Sequence, residues 1–174
     1  MPDTATQAQG AHDNPAAQQV DTVDVLVVGA GPAGLCFARA LAGSGLSVTL
    51  VEQQPRAALA EAAFDGREIA LTHASRRILE QLGVWERLDT AEISDLRDAR
   101  VMDGSSPFAL TFAADQHQGE ALGWLVPNHL IRRAAWDSVQ GQAGLQLIDQ
   151  TSVREVVPGP DYSAVTLSDG RRLQ

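Results

Sequence analysis

The residues with the clearest chemistry are Gly29-Ala30-Gly31-Pro32-Ala33-Gly34, a G-x-G-x-x-G turn, followed further along by the acidic Glu52. This set suits an adenine dinucleotide. Gly29 permits a tight turn, Gly31 lets a pyrophosphate approach the backbone, and Gly34 lets helix and strand pack closely. A helix that opens at Pro32 turns free N–H groups and a partial positive charge toward the phosphates. Glu52 can accept hydrogen bonds from a ribose diol, and its charge repels a 2′-phosphate at that position. An amide there would keep one oxygen for the ribose but lose the charge-assisted bond, worth about 1 kcal/mol.

Such a turn means little unless a strand leads into it and a helix leads out. Val23 to Val28 is a continuous apolar, β-branched run and predicts a buried parallel strand. Leu35, Ala38, Leu41 and Ala42 form one apolar stripe of the helix that follows, and Gly43 and Gly45 end it. Ser47 to Val51 predicts the second strand, which closes at Glu52.

After this β–α–β unit, Gln53 to Phe64 is a connection with room for a short helix, and Asp65 to Leu71 is a turn running into extended chain. Thr72 to Leu82 predicts a helix with Ile78, Leu79 and Leu82 on one face and Gly83 past its end, then a short second helix through Trp85 and Leu88. Arg100–Asp103 and Phe108–Phe112 predict two strands around Gly104–Pro107, and Ala113 to Glu120 a polar loop. These strands, within an inserted antiparallel piece at about 93–125, are placed to cover a substrate face. Asn128 opens a helix to about Gln140, as its N-cap or as a ligand, and Gly144–Asp149 predicts a further parallel strand. Ser152–Val157 and Ser163–Leu167 predict a hairpin, and one more strand begins after Gly170. Residues 1–21 are rich in Ala, Gln, Asp and Thr, lack periodicity, and read as a disordered tail. They have neither the basic start and apolar centre of a signal peptide nor the arginines of a transit peptide.

Composition bounds the function. At 174 residues the chain can bury a core of its own, and a net charge of −9 with dispersed basic residues argues against nucleic acid and against a polybasic membrane anchor. No apolar run is long enough to span a bilayer. The single cysteine, Cys36, excludes a disulfide scaffold, fits a reducing, cytoplasmic compartment, and reads as a small core residue. His12, His73, His117 and His129 are scattered without metal-ligand spacing, and no nucleophile–base arrangement is apparent, so neither a metal set nor a catalytic residue is predicted.

The β–α–β unit, the block D-G-R-x-I-A-L-x-x-x-S-x-x-I-L-x-x-L-G-x-W at Asp65–Trp85, L-G-W-L-V-P-N-H-L-I-R-R at Leu122–Arg133 and V-x-L-S-D-G-R near the end resemble class A flavin-dependent aromatic hydroxylases. Among these the chain is most similar to ubiquinone-biosynthesis hydroxylases. The resemblance runs from about Val20 to Gln174, and the Asp65–Trp85 block is its most specific part. It implies an α/β chain: a Rossmann-like FAD-binding βαβ domain over 22–174 with an inserted antiparallel piece, an incomplete glutathione-reductase-type fold. It further implies FAD as cofactor, NAD(P)H as reductant, and transfer of one oxygen atom of O2 to a phenolic ring, the cofactor carrying the chemistry. Through the lipophilic substrate it also implies peripheral association with a membrane or a complex.

Residue by residue, Gly29, Gly31 and Gly34, with the backbone of Pro32 and Ala33, would hold the pyrophosphate, and Glu52 the adenosine ribose. Arg67 lies where the family has an arginine near the flavin; the other reading is a surface arginine paired with Asp65. Asn128 matches a family asparagine. His129 and Pro127 depart from the family's more usual arginine and glutamate. Relatives in this family are more than twice as long, so the chain is expected to be an N-terminal portion, inactive alone. Another FAD- or NAD-dependent oxidoreductase and a noncatalytic nucleotide-binding remnant are the alternatives.

Overall fold

Parallel strands with the first helix between them form the centre of the computed structural model, which describes residues 20–106, 108–113 and 120–174. Residues 1–19, 107 and 114–119, which include His12 and His117 and most of the predicted tail and polar loop, lie outside the described residues. Strand β2 (Val25–Val28) leads into helix α1 (Pro32–Ala40), which returns to β3 (Val48–Val51). The strands pair in parallel in the register Val25↔Val48 to Val28↔Val51. Asp24 fixes that register from outside, its Oδ2 accepting from the Ser47 N–H at 2.8 Å and the Ser47 hydroxyl at 2.7 Å. Helix α1 starts at Pro32, where a missing N–H costs nothing, and the chain beyond it turns through Gly43 at φ +77°. Strand β9 (Leu145–Ile148) adds in parallel to the other edge of β3, giving the order β2-β3-β9.

Buried on both faces, β3 carries the continuous apolar run that this position requires. Val48 and Leu50 face a core shared with Leu35 and Ala38 of α1 and with Ile131, Ala134, Ala135, Trp136 and Val139. The last five belong to, or directly follow, helix α4 (Asn128–Ser138). Small residues where α1 and α4 meet let the two helices approach closely. On the opposite face Val51 and Ile148 meet Val165, Leu167 and Leu173. The latter lie in a small sheet of order β1-β12-β11-β10, built from β10 (Val153–Pro158), β11 (Ser163–Leu167), β12 (Arg172–Leu173) and β1 (Val20–Asp21).

Strand β1 corrects the sequence reading at its boundary. Val20 and Asp21, assigned above to the tail, pair in parallel with Arg172 and Leu173. Two residues are too few for periodicity to signal, and their partners lie at the far end of the chain.

The piece at about 93–125 also divides. Strand β6 (Asp98–Met102) and β7 (Ala109–Ala113) form an isolated antiparallel ribbon, as predicted. Strand β8 (Gly123–Pro127) instead lies between β4 (Glu68–Leu71) and β5 (Ser94–Leu96), the last not foreseen from sequence. Helix α2 (Arg56–Glu61) fills the connection after β3. Helix α3 (His73–Gln81) is capped by Thr72, whose hydroxyl oxygen accepts from the Ser75 N–H at 3.2 Å. Its Arg76 lies over the rings of Trp85 and Trp124, 4.8 and 4.6 Å from their centroids, tying helix to sheet.

Candidate functional site: a dinucleotide cleft at the head of the first helix

The end of β2, the start of α1 and the end of β3 converge because a β–α–β unit must bring strand ends and helix head to one edge of the sheet. There a cleft of about 410 Å³ is lined by Ala30, Gly31, Pro32, Glu52, Gln54, Leu59, Asp65, Arg67, Asn128 and Arg132. That volume lies within the roughly 300–1,000 Å³ of small-molecule sites. Of the residues singled out in the sequence, Gly31, Pro32, Glu52, Arg67 and Asn128 therefore share one cavity wall.

Gly29, Ala33 and Gly34 do not line it; two of them build the turn. Gly29 adopts φ +96°, a conformation that disfavours any side chain. A Cβ on Gly34 would run into the Gly29 carbonyl and lie 3.3 Å from Val27 Cγ1, so only glycine lets α1 lie this close to β2. Gly31 is different. It is the N-cap of α1 at φ −73°, and a Cβ there would meet nothing within 4 Å. Pro32 has no N–H to give, so the donors available at the helix head are those of Ala33 and Gly34. Ala33 also borders an apolar cleft with Cys36, Ile69, Leu71 and Ile78, and burial there pushes the Cys36 thiol up.

Glu52 is only 9 % exposed, and both its carboxylate oxygens are engaged. Oε2 accepts from the Ala30 N–H and Oε1 from the Gln54 N–H, each at 2.8 Å. The side chain thus braces the glycine turn from the neighbouring strand. Each oxygen keeps a further lone pair for a hydroxyl at the cleft.

Arg67 is 66 % exposed and bonded to Asp65, Nη2 to Oδ2 at 2.7 Å and Nε to Oδ2 at 3.0 Å. It is paired with Asp65, as one of the two readings expected, and it also lines the cleft. Asn128 is not the N-cap of α4. The helix begins with it, after Pro127 at φ −56°. Its own N–H donates to the Arg67 carbonyl at 2.8 Å, and its side-chain Nδ2 donates to Asp65 Oδ2 at 2.7 Å. An amide bound to a carboxylate across the cleft wall is not free to cap.

Sequence reasoning missed Asp65 and Arg132 as members of this wall. Asp65 stands in the D-G-R block itself, and Arg132 follows Asn128 by one helical turn, the signal that could have found it. The Arg67 and Asn128 hydrogen bonds hold the Asp65 carboxyl well below the usual carboxylate range. Because the folded value is depressed, the network's contribution is full above the ordinary value of 3.8 and lost only as pH falls through the lower folded value. Carbon-detected NMR should therefore show Asp65 ionised from neutral pH down past 3.8; a midpoint at or above that value would mean these bonds do not form in solution.

Among the described residues no three His, Cys, Asp or Glu side chains are grouped as a metal set.

The comparisons with known proteins show the family. The family described as FAD binding domain matches residues 22–156. A ubiquinone hydroxylase of Neisseria meningitidis, UbiM, is 46 % identical over 154 residues, covering 86 % of this chain and 33 % of its own. The ubiquinone hydroxylase UbiL of Rhodospirillum rubrum is 34 % identical over 151 residues, covering 87 % and 35 %. The chain thus spans about a third of the length of these curated relatives. Among solved structures, the p-nitrophenol 4-monooxygenase PnpA of Pseudomonas putida superposes at a TM-score of 0.66 with 18 % identity, over 88 % of this chain and 39 % of that one. PqsL of Pseudomonas aeruginosa gives 0.62 and 24 %, over 88 % and 40 %. At such identities the structures speak for the fold alone. With the family model matched across most of the chain, the protein belongs to the FAD binding domain family.

Proposed function

We propose that these residues form the dinucleotide-binding part of an FAD-dependent monooxygenase. Its substrate in this reading is an aromatic, polyprenyl-phenol-like intermediate of ubiquinone biosynthesis, and NAD(P)H is the reductant. The observation that carries the reading is the single cleft where the open face of Gly31, the head of α1, Glu52, Arg67 and Asn128 meet. The relatives named ubiquinone hydroxylase support the substrate class.

In this reading the finer architecture is an incomplete glutathione-reductase-type fold. The ribbon β6–β7 is the start of the substrate cover: Val101 and Leu110 are paired across it, and Ala99 and Phe112 pair on the same face. When bound, FAD supplies activation of O2 for transfer of one oxygen atom to the ring. The chain's own residues bind and orient. The Ala33 and Gly34 N–H groups and the dipole of α1 meet the pyrophosphate, and Gly31 leaves room for it. Glu52 would accept from the adenosine ribose, Arg67 would stand near the flavin as the family arginine does, and Asn128 would contact the cofactor. No helix of the described residues is long and apolar enough to cross a membrane. A cytoplasmic location, with peripheral attachment to a membrane or complex that delivers a lipophilic substrate, belongs to the same proposal.

ADP, NAD and FAD share an ADP half, so the flavin-side contacts distinguish them. Titrated into the purified chain, FAD should bind about tenfold more tightly than NAD or ADP, about 1.4 kcal/mol. Equal affinities, or tighter NAD, would point to a nicotinamide enzyme instead.

A further inference from the structure

Donors from two segments, the turn at Arg67 and the head of helix α4, converge on one oxygen beside the cleft. Asp65 Oδ2 accepts from Arg67 Nη2 and Asn128 Nδ2, each at 2.7 Å, and from Arg67 Nε at 3.0 Å. Arg132 Nη1 lies 3.9 Å from the same oxygen and donates to the Ala63 carbonyl at 3.2 Å. The other oxygen, Oδ1, accepts from the Arg67 N–H at 3.2 Å. One carboxylate therefore holds Arg67 by backbone and side chain together, and fixes which way the Asn128 amide faces.

Stability does not explain this arrangement. The Arg67 guanidinium is largely in solvent, and an ion pair so exposed contributes little to folding. What Asp65 removes is freedom. An exposed arginine loses rotamer entropy when it is ordered, and here much of that ordering precedes any ligand. Asn128, only 6 % exposed, has few alternative partners for its amide. With Glu52 counted, the charges lining the cleft balance, two arginines against two carboxylates, so what Asp65 supplies is order rather than net charge.

We infer that Asp65 is a positioning residue for the cofactor: it presents Arg67 and Asn128, already ordered, to the anionic dinucleotide bound in this cleft. The inference rests on the FAD reading above. It also opposes plain electrostatics. A carboxylate beside an anion site repels the anion, so removing it should tighten binding if charge were its only effect. Positioning requires the reverse sign.

The test measures FAD affinity by flavin fluorescence for the wild-type chain, Asp65→Asn, Arg67→Gln and the double variant, with thermal melts alongside. Expected are about tenfold weaker FAD in Arg67→Gln, at least as large a loss in Asp65→Asn, which also releases the Asn128 amide, and a double variant no weaker than Asp65→Asn, because Asp65 acts through Arg67 and Asn128. The melting temperature should move little, and the Arg67 Nε–H resonance should sharpen in wild type and broaden in Asp65→Asn. Asp65→Glu keeps the charge and moves the oxygens by one methylene, so it too should bind FAD more weakly; it decides the matter if Asp65→Asn does not fold. Affinity unchanged or improved in Asp65→Asn and Asp65→Glu, with wild type binding FAD normally, overturns the inference and leaves the FAD reading standing. A wild-type chain that binds no FAD overturns both.

Discussion

Gly31→Val is expected to yield a folded protein that no longer retains FAD, and Gly34→Val a protein that does not reach the native fold. Sequence spacing treats these glycines alike; the structure separates them. At Gly31 the backbone is in an ordinary extended conformation and added atoms meet no protein, so the protein itself tolerates a side chain. The folding penalty is the poorer N-cap preference of valine, up to about 1 kcal/mol. The space that valine fills is the space a pyrophosphate needs, and affinity should fall a hundredfold or more, about 2.7 kcal/mol. At Gly34 the first added carbon strikes the Gly29 carbonyl, so α1 must leave β2 and carry Leu35 and Ala38 out of the core. Overpacking of this kind costs about 1–3 kcal/mol when the surroundings can yield, and more against backbone. Thermal melts and flavin absorbance of the two purified variants check both halves. A Gly31→Val protein that stays yellow at wild-type stoichiometry would remove the cleft from the phosphate path.

Glu52→Gln should be costlier than a lost charge implies. Read from sequence, the exchange takes about 1 kcal/mol from cofactor binding. In the structure both oxygens already serve backbone donors, the N–H groups of Ala30 and Gln54. An amide has one oxygen. If it faces Ala30, which is buried, its NH₂ faces the Gln54 N–H, and two donors confront each other. The stranded N–H is then that of Gln54, which water can reach, so the cost lies at the low end of about 1–3 kcal/mol, a loss of folding stability that adds to the loss of affinity. Glu52→Ala should be at least as severe, since it strands both donors. Urea unfolding without FAD isolates the first effect and FAD titration the second. If both variants unfold at the wild-type midpoint, Glu52 does not brace the turn.

Much of the fold was legible because its signals are local. A β-branched run, a proline at a helix start and glycines at the turns act through neighbouring dihedrals, and β2, α1 and β3 followed from them directly. The β6–β7 ribbon and the β10–β11 hairpin were readable for the same reason, each being closed by a turn a few residues long. Strand β5, with three residues, and strand β1, with two, offered no period to detect. Of the two readings of Asn128, N-cap or ligand, the structure excludes the N-cap, which residue type and position had suited; the partner that takes its amide, Asp65, lies 63 residues away.

The sequence by itself determined the chemistry of the turn: a G-x-G-x-x-G between strand and helix with an acid after the next strand can serve few ligands other than an adenine dinucleotide. Hydrophobic pattern settled burial only in part: Leu35, Ala38 and β3 are buried as expected, but Val28, whose apolar run predicted a buried strand, is 63 % exposed because β2 is an edge strand, and Ile78 is exposed too. Tertiary structure alone decided who meets whom: β9 beside β3, β8 between β4 and β5, and the convergence of Arg67, Asn128 and Arg132 on Asp65. The reason is physical. Periodicity records that a side chain leaves water, but not the partner it finds. Partners for polar groups separated by dozens of residues are set by the order in which strands and helices pack.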